Sequence, residues 1–199
     1  MTRPRRAKSP RKAQRIPEVL TADERAALLQ QPTPRYPTGL RNRCLMLVML
    51  DCGLRAREAL QLAVRDIDWQ SGKVKVRQGK GRKDRVLWLN EQALDWLRKW
   101  RERRPGPGAL LFTTLAGKPL RDNYLRVMVK RYGQKAGIGK DVHPHMLRHT
   151  FATDLYRETK NIRLVQKALG HASLGTTMIY THIVDDELED ALRKFRRAA

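Results

Sequence analysis

Apolar residues recur at three- and four-residue spacing through most of this chain and alternate in only two short stretches, so its local structure is chiefly helical. Thr21 opens the first helical pattern: its hydroxyl can cap the helix while Glu24, three residues on, reaches back to the Thr21 amide. Pro32, Pro34 and Pro37 end that helix. A strongly apolar helix is predicted over 40–52, with Gly53 stopping it in a left-handed cap, and a short one over 58–62. The period then changes. Lys73-Val74-Lys75-Val76-Arg77 and Arg85-Val86-Leu87-Trp88-Leu89 alternate as strands do, and they flank the charged, glycine-rich turn Gly79-Lys80-Gly81-Arg82-Lys83-Asp84. Helical periodicity returns over 91–103 through Leu94 and Leu97 and breaks at Pro105-Gly106-Pro107-Gly108. It resumes over 121–136, 146–157, 161–169 and 185–197. The expected class is mainly α with a small antiparallel β-sheet (α+β), without internal repeats or a second domain boundary.

Residues 1–17 lack this patterning. They carry Arg3, Arg5, Arg6, Lys8, Arg11, Lys12 and Arg15, no acid, and three prolines, a composition that cannot build a core. A disordered basic arm is expected over 1–17, lying along phosphates or in a minor groove, ahead of one folded domain over 18–199. The charge of the whole chain agrees. Lys plus Arg number 42 against 20 Asp plus Glu, a net charge of +22 that calls for a polyanionic partner, nucleic acid before an anionic membrane. The longest clean apolar run, 45–50, is too short to span a bilayer, and no apolar stretch follows the basic start as in a signal peptide. A cytoplasmic, nucleoid-associated protein of a prokaryote, phage or mobile element is expected. Cys44 and Cys52 stand eight apart on one apolar helix, roughly 12 Å along its axis, so they fill core and do not bridge.

Six residues form an ordered set over this framework: Arg55, Lys80, His145, Arg148, His171 and Tyr180. Cations and imidazoles followed by one late tyrosine are what a metal-free attack on a phosphodiester needs, an oxygen nucleophile surrounded by positive charge and proton carriers. Taken singly, each has a plainer explanation. His145 and Arg148, three apart on one helix face, are equally a surface pair with a structural histidine. His145 and His149 have metal-ligand spacing, but Met146 stands where a zinc protease helix needs its glutamate, and no metal site is expected. Arg55 directly follows a helix stop, with Glu58 placed to hold a guanidinium. Lys80 at the hairpin tip can swing into a groove and protonate a departing oxygen, with Arg82 and Lys83 as phosphate clamps, or the turn is merely solvated. The pattern over 161–181 looks like a helix-turn-helix, yet Thr176-Thr177-Met178-Ile179-Tyr180 offers little that reads base edges, and Tyr180 alone could be a half-buried aromatic.

Together these pieces resemble the tyrosine recombinases, the phage integrase family. Its first arginine box reads here as Gly53-Leu54-Arg55-Ala56-Arg57-Glu58, its hairpin lysine as Gly79-Lys80-Gly81-Arg82-Lys83-Asp84-Arg85, and its central box as His143-Pro144-His145-Met146-Leu147-Arg148-His149-Thr150-Phe151-Ala152-Thr153. The last box is Leu169-Gly170-His171-Ala172-Ser173, then Thr176-Thr177 and Tyr180-Thr181-His182. The resemblance runs from about residue 18 to the C-terminus. It implies a site-specific recombinase in which Tyr180 attacks the scissile phosphate and leaves a 3′-phosphotyrosyl link. Arg55 and Arg148 would hold the non-bridging oxygens, Lys80 would protonate the leaving 5′-oxygen, His145 would accept a proton, and His171 would hydrogen-bond the phosphate, with Glu58 and His149 in support. It implies no cofactor, no metal and no ATP, double-stranded DNA carrying a specific site as partner, and four protomers for strand exchange through a Holliday junction. Val184, Leu188, Ala191, Leu192 and Phe195 form an apolar stripe suited to docking on a neighbouring protomer or on its own domain. Two departures stand out. Arg57 occupies a place the family usually gives to a small polar residue, and the expected organisation is a catalytic domain without the usual N-terminal core-binding domain, so the chain resembles the short, catalytic-domain-only recombinases or else a fragment of a longer integrase. The rivals are a non-catalytic DNA-binding accessory protein of the same fold and a type IB topoisomerase.

Overall fold

The computed structural model describes residues 17–77, 84–181, 192, 193 and 195. In chain order the elements are α1 (Ala22–Gln30), α2 (Pro37–Cys52), α3 (Ala56–Leu60), β1 (Lys73–Val76), β2 (Arg85–Trp88), α4 (Glu91–Arg103), α5 (Asp122–Lys135), α6 (Pro144–Thr159) and α7 (Ile162–Leu169). Single 3₁₀ turns lie at Val64–Asp66, Leu174–Thr176 and Met178–Tyr180. The fold is mostly helical with one two-stranded antiparallel sheet, as the periodicity predicts.

Capping explains most of the boundaries. Thr21 and Glu24 form the expected reciprocal pair at the start of α1, with Glu24 accepting the Thr21 N–H at 2.8 Å. Pro37 does not close α1. It opens α2 three residues earlier than the apolar run suggests, at a first-turn position where a missing N–H costs nothing. Gly53 then stops α2 with φ +55°, and an added Cβ would lie 2.2 Å from Phe151 Cδ1, so both backbone and packing require glycine there. α3 also starts early, at Ala56, because the Glu58 carboxylate accepts the Arg55 N–H at 2.8 Å. His143 caps α6 through Nδ1, which accepts the Met146 N–H, with Pro144 in the first turn.

α2 is the axis of the molecule. It is buried along most of its length and packs against α4 and α6. α4 covers it with Ala93, Leu94, Leu97 and Trp100, one stripe at helical spacing, and Trp100 Nε1 donates to Leu111 O at 2.9 Å. Cys44 and Cys52 are buried and unbridged within this core. A second, smaller cluster joins α6, α7 and the last 3₁₀ turn through Ala152, Val165, Leu169 and Tyr180. Two alternative readings of 161–181 fall here. Between Gly170 and Thr181 the chain makes only 3₁₀ turns, so 161–181 presents no recognition helix. Tyr180 is not half-buried but 1 % exposed.

The basic arm, with Arg3, Arg5 and Arg6, and the hairpin tip, with Lys80, Arg82 and Lys83, lie outside the described residues. Of the C-terminal stripe only Leu192 and Phe195 lie within them, and both are exposed. Among the described residues no helix is long and apolar enough to cross a membrane.

Candidate active site

Sequence positions far apart converge where the ends of α2 and α7 meet α6. Arg148, 5 % exposed, donates from Nη1 to Gly53 O at 2.6 Å and from Nη2 to Leu169 O at 2.7 Å. Those two carbonyls belong to the left-handed stop of α2 and the last residue of α7, so the glycine caps aim acceptors at one guanidinium. Nη2 also lies 3.1 Å from His171 Nε2, just beyond α7. His145, one turn before Arg148 on α6, is exposed on the same face.

Arg55 is partly exposed at the start of α3 and donates from Nη1 to Glu58 Oε1 at 2.8 Å. Glu58 has a second partner that the sequence reading missed. Arg85 on β2 grips both carboxylate oxygens at 2.9 and 2.8 Å, and its Nε donates to Ala168 O at 2.7 Å. The signal was present: in the alternation of 85–89, Arg85 shares the inward parity of Leu87 and Leu89, and a charge at an inward strand position needs a buried partner. Arg85 thus ties the hairpin to α3 and to the end of α7. Arg57 is exposed.

Around Glu58 stand Arg55, Arg85 and, at 3.9 Å, Arg148, three guanidinium groups against one carboxylate. Burial alone would push the Glu58 carboxyl up, but the hydrogen bonds and charge of Arg85, with those of Arg55, bring it down to about 2. Arg148 falls to about 10 through burial and then the charge of Arg55, so it stays protonated at neutral pH. The remaining positive charge faces the solvent side at Arg55, an arrangement that an anion relieves.

Tyr180 Oη lies 2.8 Å from His149 Nδ1, with the rings tilted by 50° at 5.8 Å. Burial raises the phenol to about 12, partly offset by the charge of Arg148. His149 and His171 both drop to about 4, each through burial first and then neighbouring positive groups. Both are neutral at pH 7, so one nitrogen of each ring carries a proton and the other is an acceptor, and the tautomer of His149 sets the direction of its bond to Tyr180. His145 is lowered as well, by burial and then by His143 and Arg148. Among the described residues no group of three or more His, Cys, Asp or Glu side chains could hold a metal ion. A cleft of about 960 Å³ near Arg41, Lys118 and Tyr124 shares no residue with this cluster.

The model of the phage integrase family matches residues 18–187. Tyrosine recombinase XerC of Xanthomonas axonopodis pv. citri (strain 306) is 40% identical over 178 residues, 88% of this chain and 57% of its own length. Tyrosine recombinase XerD of Pseudomonas aeruginosa is 38% identical over 181 residues, 88% of this chain and 60% of its own length. The chain therefore spans less than two thirds of these curated relatives. The crystal structure of XerA recombinase superposes with a TM-score of 0.79 at 33% identity, covering 92% of this chain and 67% of that one. XerH site-specific recombinase bound to palindromic difH substrate, in a post-cleavage complex, superposes with a TM-score of 0.77 at 35% identity, covering 92% of this chain and 54% of that one. With its fold, its converging arginine and histidine boxes and its late tyrosine, the chain belongs to the phage integrase family.

Proposed function

We propose that this chain is the catalytic part of a tyrosine site-specific recombinase, which cleaves and rejoins DNA through a 3′-phosphotyrosyl intermediate. The observation that carries the reading is the meeting of Arg148, His171 and the Arg55–Glu58 pair from three chain segments, with Tyr180 on the last 3₁₀ turn. A phosphate seated on this cluster takes its non-bridging oxygens to Arg55 and Arg148, charge-assisted bonds that strengthen as the phosphorus centre gains negative charge. His171 hydrogen-bonds the same group, Tyr180 attacks in line, and Lys80 protonates the departing 5′-oxygen. His145, exposed beside the cluster, accepts a proton. The phosphotyrosyl bond conserves the energy of the broken phosphodiester, so rejoining needs neither ATP nor a metal. Arg82, Lys83, Arg3, Arg5 and Arg6 contribute phosphate contacts whose strength falls with salt. Strand exchange requires four protomers on two duplexes, and the protein works at the nucleoid of a bacterial or phage-infected cell.

With Tyr180 only 1 % exposed, a phosphate reaches its oxygen only after the turn carrying it moves. A non-catalytic DNA-binding protein of the same fold would also bury its tyrosine, and that is the second reading. The separating experiment takes duplexes selected by the protein from a random library, nicks them near the bound site, and looks for a covalent adduct on denaturing gels. An adduct that forms with the wild type and disappears in Tyr180→Phe is the expected result. No adduct on any selected duplex would establish the non-catalytic reading instead.

A further inference from the structure

The two ring nitrogens of His171 have different partners. Nε2 lies 3.1 Å from Arg148 Nη2, and Nδ1 lies 3.0 Å from Thr177 Oγ1. A guanidinium offers only N–H donors, so Nε2 accepts from Arg148 and carries no proton. The ring is neutral at pH 7, its pKa lowered by burial and then by Arg148, Arg55 and Arg85. Its single proton therefore sits on Nδ1 and is donated to the Thr177 hydroxyl. In that state Nε2 cannot donate to a phosphate.

Thr177 is 0 % exposed and is fixed between two 3₁₀ turns by its N–H, which donates to Leu174 O at 2.7 Å. Its hydroxyl can accept from Nδ1–H or, turned about its C–O bond, donate to an unprotonated Nδ1. A carbonyl in the same place would hold the ring permanently in the Nδ1–H form, and a methyl group would leave Nδ1 without a partner.

We infer that Thr177 is a positioning residue for His171: its hydroxyl holds the ring proton on Nδ1 while Arg148 occupies Nε2, and by reversing lets Nε2 carry the proton once a phosphate draws Arg148 away. The step breaks the Nδ1–H bond and forms an Nε2–H bond, with one O–H bond of water formed and one broken in exchange. One proton leaves Nδ1 to water, one arrives at Nε2 from water, and the net charge is unchanged. The inference rests on His171 being a phosphate ligand, and it assigns a task to a residue that the recombinase reading itself leaves idle.

The test compares wild type, Thr177→Val, close in shape but without the hydroxyl, and Thr177→Ser, which restores it. Nitrogen-15 chemical shifts of His171 at pH 7, without DNA and on a bound duplex, report which ring nitrogen is protonated. Arg148 keeps Nε2 bare in all three DNA-free proteins, so each is expected to show Nδ1 protonated. On the duplex the wild type and the Ser variant are expected to carry the proton on Nε2, and the Val variant, with nothing to donate to Nδ1, to show a mixture of the two tautomers. In single-turnover adduct formation on a nicked duplex, the Val variant is expected to be about 10- to 100-fold slower, with Ser within about threefold of wild type and DNA affinity unchanged, the scale seen when a residue orienting a functional histidine is lost. Val matching the wild type in its DNA-bound tautomer or in rate overturns the inference, as does Ser failing alongside Val at equal melting temperature. A wild type that forms no adduct refutes the catalytic reading, and the shifts then decide the tautomer claim alone.

Discussion

Replacing Glu58 by Gln removes the carboxylate that faces Arg55, Arg85 and Arg148 and keeps its shape. The carboxyl drops from 4.5 to about 2 because the hydrogen bonds and charge of Arg85, with Arg55 in second place, outweigh the burial that would raise it. At about 1.4 kcal/mol per unit, that drop corresponds to about 3 kcal/mol of folding stability at pH 7. The Glu58 side chain is 11% exposed, so solvent screening removes little of this. A depressed pKa contributes stability above the unfolded value and loses it as pH falls through the folded one. Between pH 7 and pH 3 the contribution shrinks to about 1.5 kcal/mol, so the gap between wild type and Glu58→Gln narrows by about half. For a chain of this size the gap at pH 7 corresponds to roughly 6–12 °C in melting temperature. Urea unfolding followed by circular dichroism from pH 7 to pH 3 measures both quantities, and subtracting the two proteins cancels most of the histidine titration they share. A gap below about 1 kcal/mol at pH 7, or one that stays constant on acidification, would refute the claim that this pairing holds the cluster together.

Other expectations follow from neighbouring contacts. Gly53→Ala places a Cβ 2.2 Å from Phe151 Cδ1 at φ +55°, so it should cost about 2 kcal/mol or more and, by shifting the carbonyl that anchors Arg148, slow adduct formation. Thermal melts and the gel assay check the two effects separately. His149→Phe leaves the buried Tyr180 hydroxyl without its hydrogen-bond partner and should destabilise by about 1–3 kcal/mol, whereas His149→Gln, whose amide both accepts and donates, should lose less. Equal melting temperatures for the two variants would show that the bond contributes nothing. His149 and His171 are held neutral with folded values of about 4, so their contribution is complete above pH 6.5 and declines as pH falls toward 4.

The local signals translated directly into structure. The Thr21–Glu24 box, the Gly53 stop, the alternation at 73–76 and the limits of 91–103 all depend on a few adjacent residues, whose side chains and permitted φ values decide the outcome without help from the rest of the chain. Pro37 misled because a proline both ends one helix and begins the next, and only the packing of α2 against α4 and α6 decides between them. Arg85 was visible as an inward charge, but its partner Glu58 lies 27 residues away.

The candidate site divides along the same line. The residue types and their order, arginine, lysine, the His145–Arg148 pair, His171 and a final tyrosine, were legible because each box is a short run of text. Which nitrogen of His171 carries the proton, which carbonyls anchor Arg148 and how deeply Tyr180 is buried were not legible. Those properties arise from contacts spanning 6 to 95 residues, set when α2, α6 and α7 pack together and fix donors against acceptors. Periodicity and caps specify helices one at a time; the proton positions and charges of the cluster exist only once the helices meet.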